Sequence, residues 1–122
     1  MPIVDICLVC APSADVPPGL ARAAADAIGA AFRSDAGRVW VRVAALPAAH
    51  YAENGADVAA GELPVFVTVL HALPPEGTAR AAEALAISRV VAACAGRSPA
   101  RVHVEYAPAG RGRIAFGGRL VT

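Results

Sequence analysis

The sequence comes close to repeating itself. Arg38-Val39-Trp40-Val41-Arg42 matches Arg101-Val102-His103-Val104-Glu105 at a shift of 63 residues. The same shift aligns His50-Tyr51-Ala52-Glu53-Asn54-Gly55 with Arg113-Ile114-Ala115-Phe116-Gly117-Gly118 without a gap. At a shift of 62, Pro2-Ile3-Val4 falls on Pro64-Val65-Phe66. Repetition restricts the fold strongly, because each copy must be one supersecondary unit that buries its apolar face against the other. A unit of about sixty residues has room for two strands and one helix. The chain is therefore read as one domain, 1–122, with internal repeats 1–61 and 62–122.

Each copy reads the same way. Ile3 to Cys10 is an apolar run of strand length. Pro17-Pro18 then marks a helix start, where proline is tolerated in the first turn. Leu20, Ala24, Ala27, Ile28 and Ala31 recur at helical spacing, Gly37 closes the helix region, and Val39, Val41 and Val43 alternate as a half-buried strand. The second copy gives a strand over Val65 to Leu70, a helix over Thr78 to Ala95, and alternation at Val102, Val104 and Tyr106. A strand-helix-strand crossover makes its two strands parallel. Two copies predict an α+β fold, a four-stranded sheet with two helices on one face. The other sheet face lacks cover, which predicts self-association. Residues 44–61 and 107–122, rich in Ala, Pro and Gly, read as turns or short ribbon strands that reach a neighbour.

Composition supports that expectation. Of the 122 residues, 57% are hydrophobic but only 5% aromatic, much of the difference being alanine, which removes little area from water. Small domains bury a modest share of their surface even with larger side chains. The net charge is +1 and all 11 basic residues are Arg. Neither nucleic-acid binding nor membrane association is indicated. The stretch Leu63 to Pro75 is uncharged but short and carries three prolines. With no targeting segment read at the start, the expected location is the cytoplasm. Cys7 and Cys10 form a C-x-x-C, but within a strand residues three apart face opposite ways. They are read as two small buried hydrophobes, and no metal or cofactor is implied.

Duplicated β-α-β units that open on Met1-Pro2 resemble the tautomerase superfamily, in particular its macrophage migration inhibitory factor and 4-oxalocrotonate tautomerase-like groups. Val16-Pro17-Pro18-Gly19 is similar to the family's valine-proline-x-glycine lead into the first helix. Leu70-His71-Ala72-Leu73 is similar to its leucine-histidine-x-aliphatic end of the third strand, and Ser98-Pro99-Ala100-Arg101-Val102 to its lead into the fourth. The resemblance implies a homotrimer in which three sheets line a barrel, with active sites at subunit boundaries. It also implies a small α-keto or enol acid as substrate.

It implies a chemistry as well. Once Met1 is removed, Pro2 exposes a secondary amine, and an α-amino group titrates near ~8 in water. Beside Ile3 and Val4 its cationic form loses solvation, which lowers that value. A neutral amine takes a proton from carbon beside a carbonyl and returns it elsewhere, which is tautomerisation. A protonated amine is instead a general acid, as hydratase and decarboxylase relatives need. A non-catalytic trimer is the remaining alternative.

The resemblance places His103 where the family has a tyrosine reaching a neighbour's proline, and Glu105 where it has an asparagine. Arg113 and Ile114 fall on the ribbon that lines the pocket, Tyr51 and Leu73 on wall positions, and Arg33 and Ser34 flank the position of a pocket lysine. Relatives acting on dicarboxylates carry arginine after the first or third strand, where this chain has Ala11-Pro12 and Ala72-Leu73, and another where it has Trp40. The carboxylate clamp is therefore either missing or rebuilt from Arg38, Arg101 or Arg113.

Overall fold

The computed structural model describes residues 2–122; Met1, whose removal the chemistry expected of Pro2 requires, lies outside the described residues. The chain runs β1 (Ile3–Cys10), α1 (Leu20–Ala31), β2 (Trp40–Pro47), β3 (Val65–Leu70), α2 (Gly77–Ala95), β4 (Val102–Tyr106), and a small ribbon of β5 (Ala115–Phe116) and β6 (Arg119–Leu120). The four long strands form one sheet in the order β2-β1-β3-β4. β1 is parallel to β2, β3 is parallel to β4, and the two pairs meet antiparallel at β1 and β3.

The duplication is visible in the strand register. Ile3 pairs with Trp40 and Val65 with Val102, a partner 37 residues further on in each copy. The shift that preserves side-chain direction is 63 throughout. Val4 and Ile6 correspond to Val67 and Val69, and Val39 and Val41 to Val102 and Val104, all packed in the core. The bridge between Glu53 and Ala56 corresponds to the ribbon pair Phe116 and Arg119 at the same shift. The shift of 62 at Pro2-Ile3-Val4 is thereby corrected. It sets buried Val4 on Phe66, which is 38% exposed, and a one-residue slip turns every strand side chain to the other face.

The core follows from that alternation. Val4, Ile6 and Leu8 of β1 and Val65, Val67 and Val69 of β3 point to one face. Leu20, Ala24 and Ile28 of α1 and Ile87, Val91 and Ala92 of α2 cover them. The opposite face carries Asp5 and Cys7, Trp40 and Arg42, Phe66 and Thr68, and His103 and Glu105. No described helix packs on it, and a shallow groove of about 250 Å³ runs between Asp5, Cys7, Arg42, Phe66 and Thr68. Cys7 faces that groove while Cys10 lies in the core, so the two thiols stand on opposite sides of the sheet, as their spacing predicts.

Two boundaries differ from the sequence expectation. Pro17 and Pro18 precede α1: with Gly19 (φ 78°, ψ −1°) they form a turn closed by Leu20 N–H to the Pro17 carbonyl at 3.2 Å. Proline followed by a residue of positive φ is the signature of a type II turn. Gly37 does not close the helix either. α1 ends at Ala31, and Arg33, at φ 52°, takes the left-handed position. The amides of Arg33 and Ser34 return to the carbonyls of Ala30 (3.1 Å) and Gly29 (2.9 Å), a Schellman motif built without glycine. Gly37 serves the next turn, into β2.

Candidate active site

Pro2 sits at the edge of the central strand pair, where its carbonyl accepts the amide of Trp40 at 3.1 Å. Because Ile3 pairs with Leu70, the residues after β3 emerge beside Pro2. The C-terminal segment closes over this end of the sheet. Gly110 N–H donates to the His71 carbonyl (2.8 Å), Arg111 N–H to that of Ala72 (3.0 Å), and Phe116 meets Trp40 edge-on at 5.1 Å. Between the end of α1, the first turns of α2 and this sheet end lies a cavity of about 540 Å³. Pro2, Phe32, Ser34, His71, Pro75 and Glu83 line it, with alanines of both helices between them. The alanine-rich composition has a local consequence here: small side chains on facing helices leave room.

One side-chain cluster on this cavity escapes the sequence reading. Glu83 of α2 accepts two hydrogen bonds on Oε2, from His71 Nε2 at 3.0 Å and from the Tyr106 hydroxyl at 2.6 Å. The imidazole lies between the rings of Phe32 (5.3 Å) and Tyr106 (6.2 Å, stacked). A carboxylate only accepts, so Nε2 donates this hydrogen bond. Burial, and then the bond to Glu83, push the Tyr106 phenol far above its ordinary range, so it remains a donor. Arg80 sits at the flank, its guanidinium over the Tyr106 ring at 5.5 Å and its Nε donating to the Pro75 carbonyl at 2.7 Å. The inward position of Tyr106 on β4 was the available signal, since a buried phenol needs a partner. Glu83 gave none, being a lone carboxylate among the alanines of α2.

The residues expected at the site divide into two groups. Pro2 and Ile114 lie at the same end of the sheet: Ile114 packs with Leu70 against Gly110, whose added Cβ would meet Ile114 Cγ2 at 3.0 Å. Ser34 lines the cavity, and Leu73 lies two residues beyond His71, 64% exposed. Tyr51 and His103 gather elsewhere, their rings 5.8 and 5.6 Å from that of Phe66. Phe66 pairs with Cys7, five residues from Pro2, or about 17 Å along an extended strand. The topology explains the separation. β3 runs antiparallel to β1 and β4 follows β3, so β4 begins at the end remote from Pro2. Glu105 faces outward from the uncovered sheet face, opposite Thr68.

The expected arginines do not line the Pro2 cavity either. Arg101 is committed to the Tyr51 group, donating to Glu53 Oε2 and to the Glu62 carbonyl, each at 2.6 Å. Tyr51 also donates to Glu53 Oε2 at 2.6 Å. These two bonds, that of Tyr51 first, hold the Glu53 carboxyl below its ordinary range. Arg38 is exposed in the turn before β2, and Arg113 in the turn before β5, so neither reaches the lining.

No protein-family model matches the chain, and no curated protein matches it in sequence. Solved structures do match in shape. A symmetric trimer of fused 4-OT superposes with a TM-score of 0.72 at 19% identity, covering 98% of this chain and 94% of that one. Macrophage migration inhibitory factor from Oncomelania hupensis gives 0.74 at 17%, covering 100% and 83%. Malonate semialdehyde decarboxylase FG41, inhibited by 3-bromopropiolate, gives 0.69 at 16%, covering 94% and 88%. These are tautomerase superfamily members. The strand order, the two β-α-β units and the likeness over nearly the full length establish that this chain has the tautomerase superfamily fold.

Proposed function

We propose that the chain, once Met1 is removed, is a proton-transfer enzyme that isomerises a small keto or enol acid with Pro2 as the shuttle. The observation that carries this reading is the placement of Pro2 on a cavity that also presents His71 and Glu83. The neutral ring nitrogen removes a proton from the carbon beside the carbonyl, leaving an enolate and a cationic proline. The same proton then returns to another atom of the substrate, so nothing is consumed. Phe32, Pro75 and the alanines give the cavity an apolar wall beside these polar groups.

The assembly belongs to the same proposal. The uncovered face with exposed Trp40 and Phe66 suits burial against further copies, and the fused 4-OT neighbour is a symmetric trimer. In a homotrimer, His103 and Glu105 of one copy serve the Pro2 of another, with Tyr51 beside them, while Ile114 and Leu73 come from the same copy as Pro2. Arg38 or Arg113 would have to reach the substrate carboxylate across that boundary.

A specific observation favours a second reading. The carboxylate of Glu83 on the same cavity favours a cationic proline, which is an acid, as hydration or decarboxylation requires. Enol-to-keto conversion of an aryl pyruvate by the Met1-free chain, lost in Pro2→Ala, supports the base. Carbon dioxide released from a β-keto acid, with no isomerisation, selects the acid. Equal rates with and without Pro2 overturn both.

A further inference from the structure

Glu83 is better held than a surface carboxylate and yet incompletely used. His71 and Tyr106 both donate to Oε2, while Oε1 has no hydrogen-bond partner among the described residues. That oxygen is not sealed in the core, because no buried side-chain oxygen or nitrogen among the described residues lacks a partner. The Glu83 side chain is only 18% exposed and lines the cavity that Pro2 lines. Two donors on one oxygen fix the rotamer, so the charge cannot swing away to solvent. The charged and titratable neighbours come from three elements: His71 at the end of β3, Tyr106 on β4 and Arg80 on α2. Arg80 is directed to the Pro75 carbonyl and the Tyr106 ring. α1 adds only Ala31, and the residues after it Phe32 and Ser34, none of them charged.

We infer that Glu83 is the positioning residue of the Pro2 cavity: its anchored carboxylate keeps the Pro2 amine cationic through neutral pH. This rests on the reading of Pro2 as a processed chain end. A fixed anion across a partly desolvated cavity favours the protonated amine. Isomerisation by the neutral amine then runs on an alkaline limb, and acid-type chemistry dominates near neutrality. Glu83 exchanges no proton itself. It steadies the cation that forms when Pro2 takes the substrate proton, and releases nothing when that proton returns.

The test is an ¹⁵N NMR titration of the Pro2 amine in Met1-free protein, comparing wild type with E83Q and E83D. Gln keeps the size of the side chain and can still accept from His71 and Tyr106, so a purely structural role leaves the midpoint unchanged. The expected result is a midpoint lower by about one pH unit in E83Q. In E83D, where the charge is retracted by one methylene, the fall is about half that, and this variant carries the test if E83Q does not fold. Midpoints within about 0.2 unit of wild type overturn the inference. A shifted midpoint in protein that turns over no carbonyl compound upholds Glu83 and rejects the activity. Turnover abolished by Pro2→Ala, beside an unmoved midpoint in E83Q, does the reverse.

Discussion

The guanidinium of Arg97 donates to the carbonyl of Val9 at 2.9 Å and, through its other terminal nitrogen, to that of Leu63 at 2.8 Å. A single side chain just past the end of α2 thus ties the helix to the central strand and to the lead into β3. Val9 is fully buried, so truncation leaves a carbonyl without its charged donor. Arg97→Ala is expected to cost about 2–4 kcal/mol, read as a lowered urea midpoint with an unchanged slope. A loss under 0.5 kcal/mol would show that water replaces the guanidinium at no cost.

Gly110 is where the C-terminal segment approaches the sheet end most closely. A methyl group there meets Ile114 Cγ2 at 3.0 Å and, less yieldingly, the His71 carbonyl oxygen at 3.3 Å. Gly110→Ala is expected to lose about 1–3 kcal/mol through overpacking. Amide exchange at Gly110 and Arg111, whose bonds to His71 and Ala72 hold the ribbon, should accelerate more than exchange in β1. Equal acceleration everywhere would mean that the ribbon has no local stability of its own.

Arg33 carries a backbone cost between Phe32 and Ser34, which line the Pro2 cavity. Its φ of 52° lies in the left-handed region, where glycine avoids the Cβ clash, although glycine also loses more freedom on folding. Arg33→Gly is expected to stabilise the fold by a few tenths to about 1 kcal/mol, seen as a rise in Tm. If stability rises while turnover falls, the arginine is retained for the site.

The Glu53 carboxyl, held below its ordinary value of 4.5 by Tyr51 first and then Arg101, makes stability depend on acidity. A lowered folded-state value means that the contribution is fully present above about 4.5 and disappears as pH falls through the folded value. Thermal melts from pH 6 down to pH 3 should therefore show less acid destabilisation in Glu53→Gln than in wild type. Tyr51→Phe should fall between them. Parallel curves for all three would exclude the linkage.

Strands and helices were legible in the sequence because their signals are local. Alternation at Val39, Val41 and Val43 and helical spacing at Leu20, Ala24 and Ile28 describe which side of an element is apolar, whatever it packs against. The duplication extended this to topology, since two β-α-β copies admit few sheets. Local signals faltered where one residue decides the matter. The two prolines before α1 suit either a turn or a first helical turn, and only Gly19 at φ 78° settles it. The register at Ile3 was ambiguous by one residue until burial showed which face Val4 takes.

The site is another case. Pro2 stood out because the chemistry that the resemblance implies for it depends on its own place in the chain. His71, Glu83 and Tyr106 come together only because the antiparallel join of β1 and β3 brings the end of β3 beside Pro2, while α2 crosses back above it. The same join carries His103 and Tyr51 to the far end, away from the proline with which the resemblance groups His103. Short-range periodicity thus determined the elements, and strand direction, a property of the whole sheet, decided which side chains share a cavity.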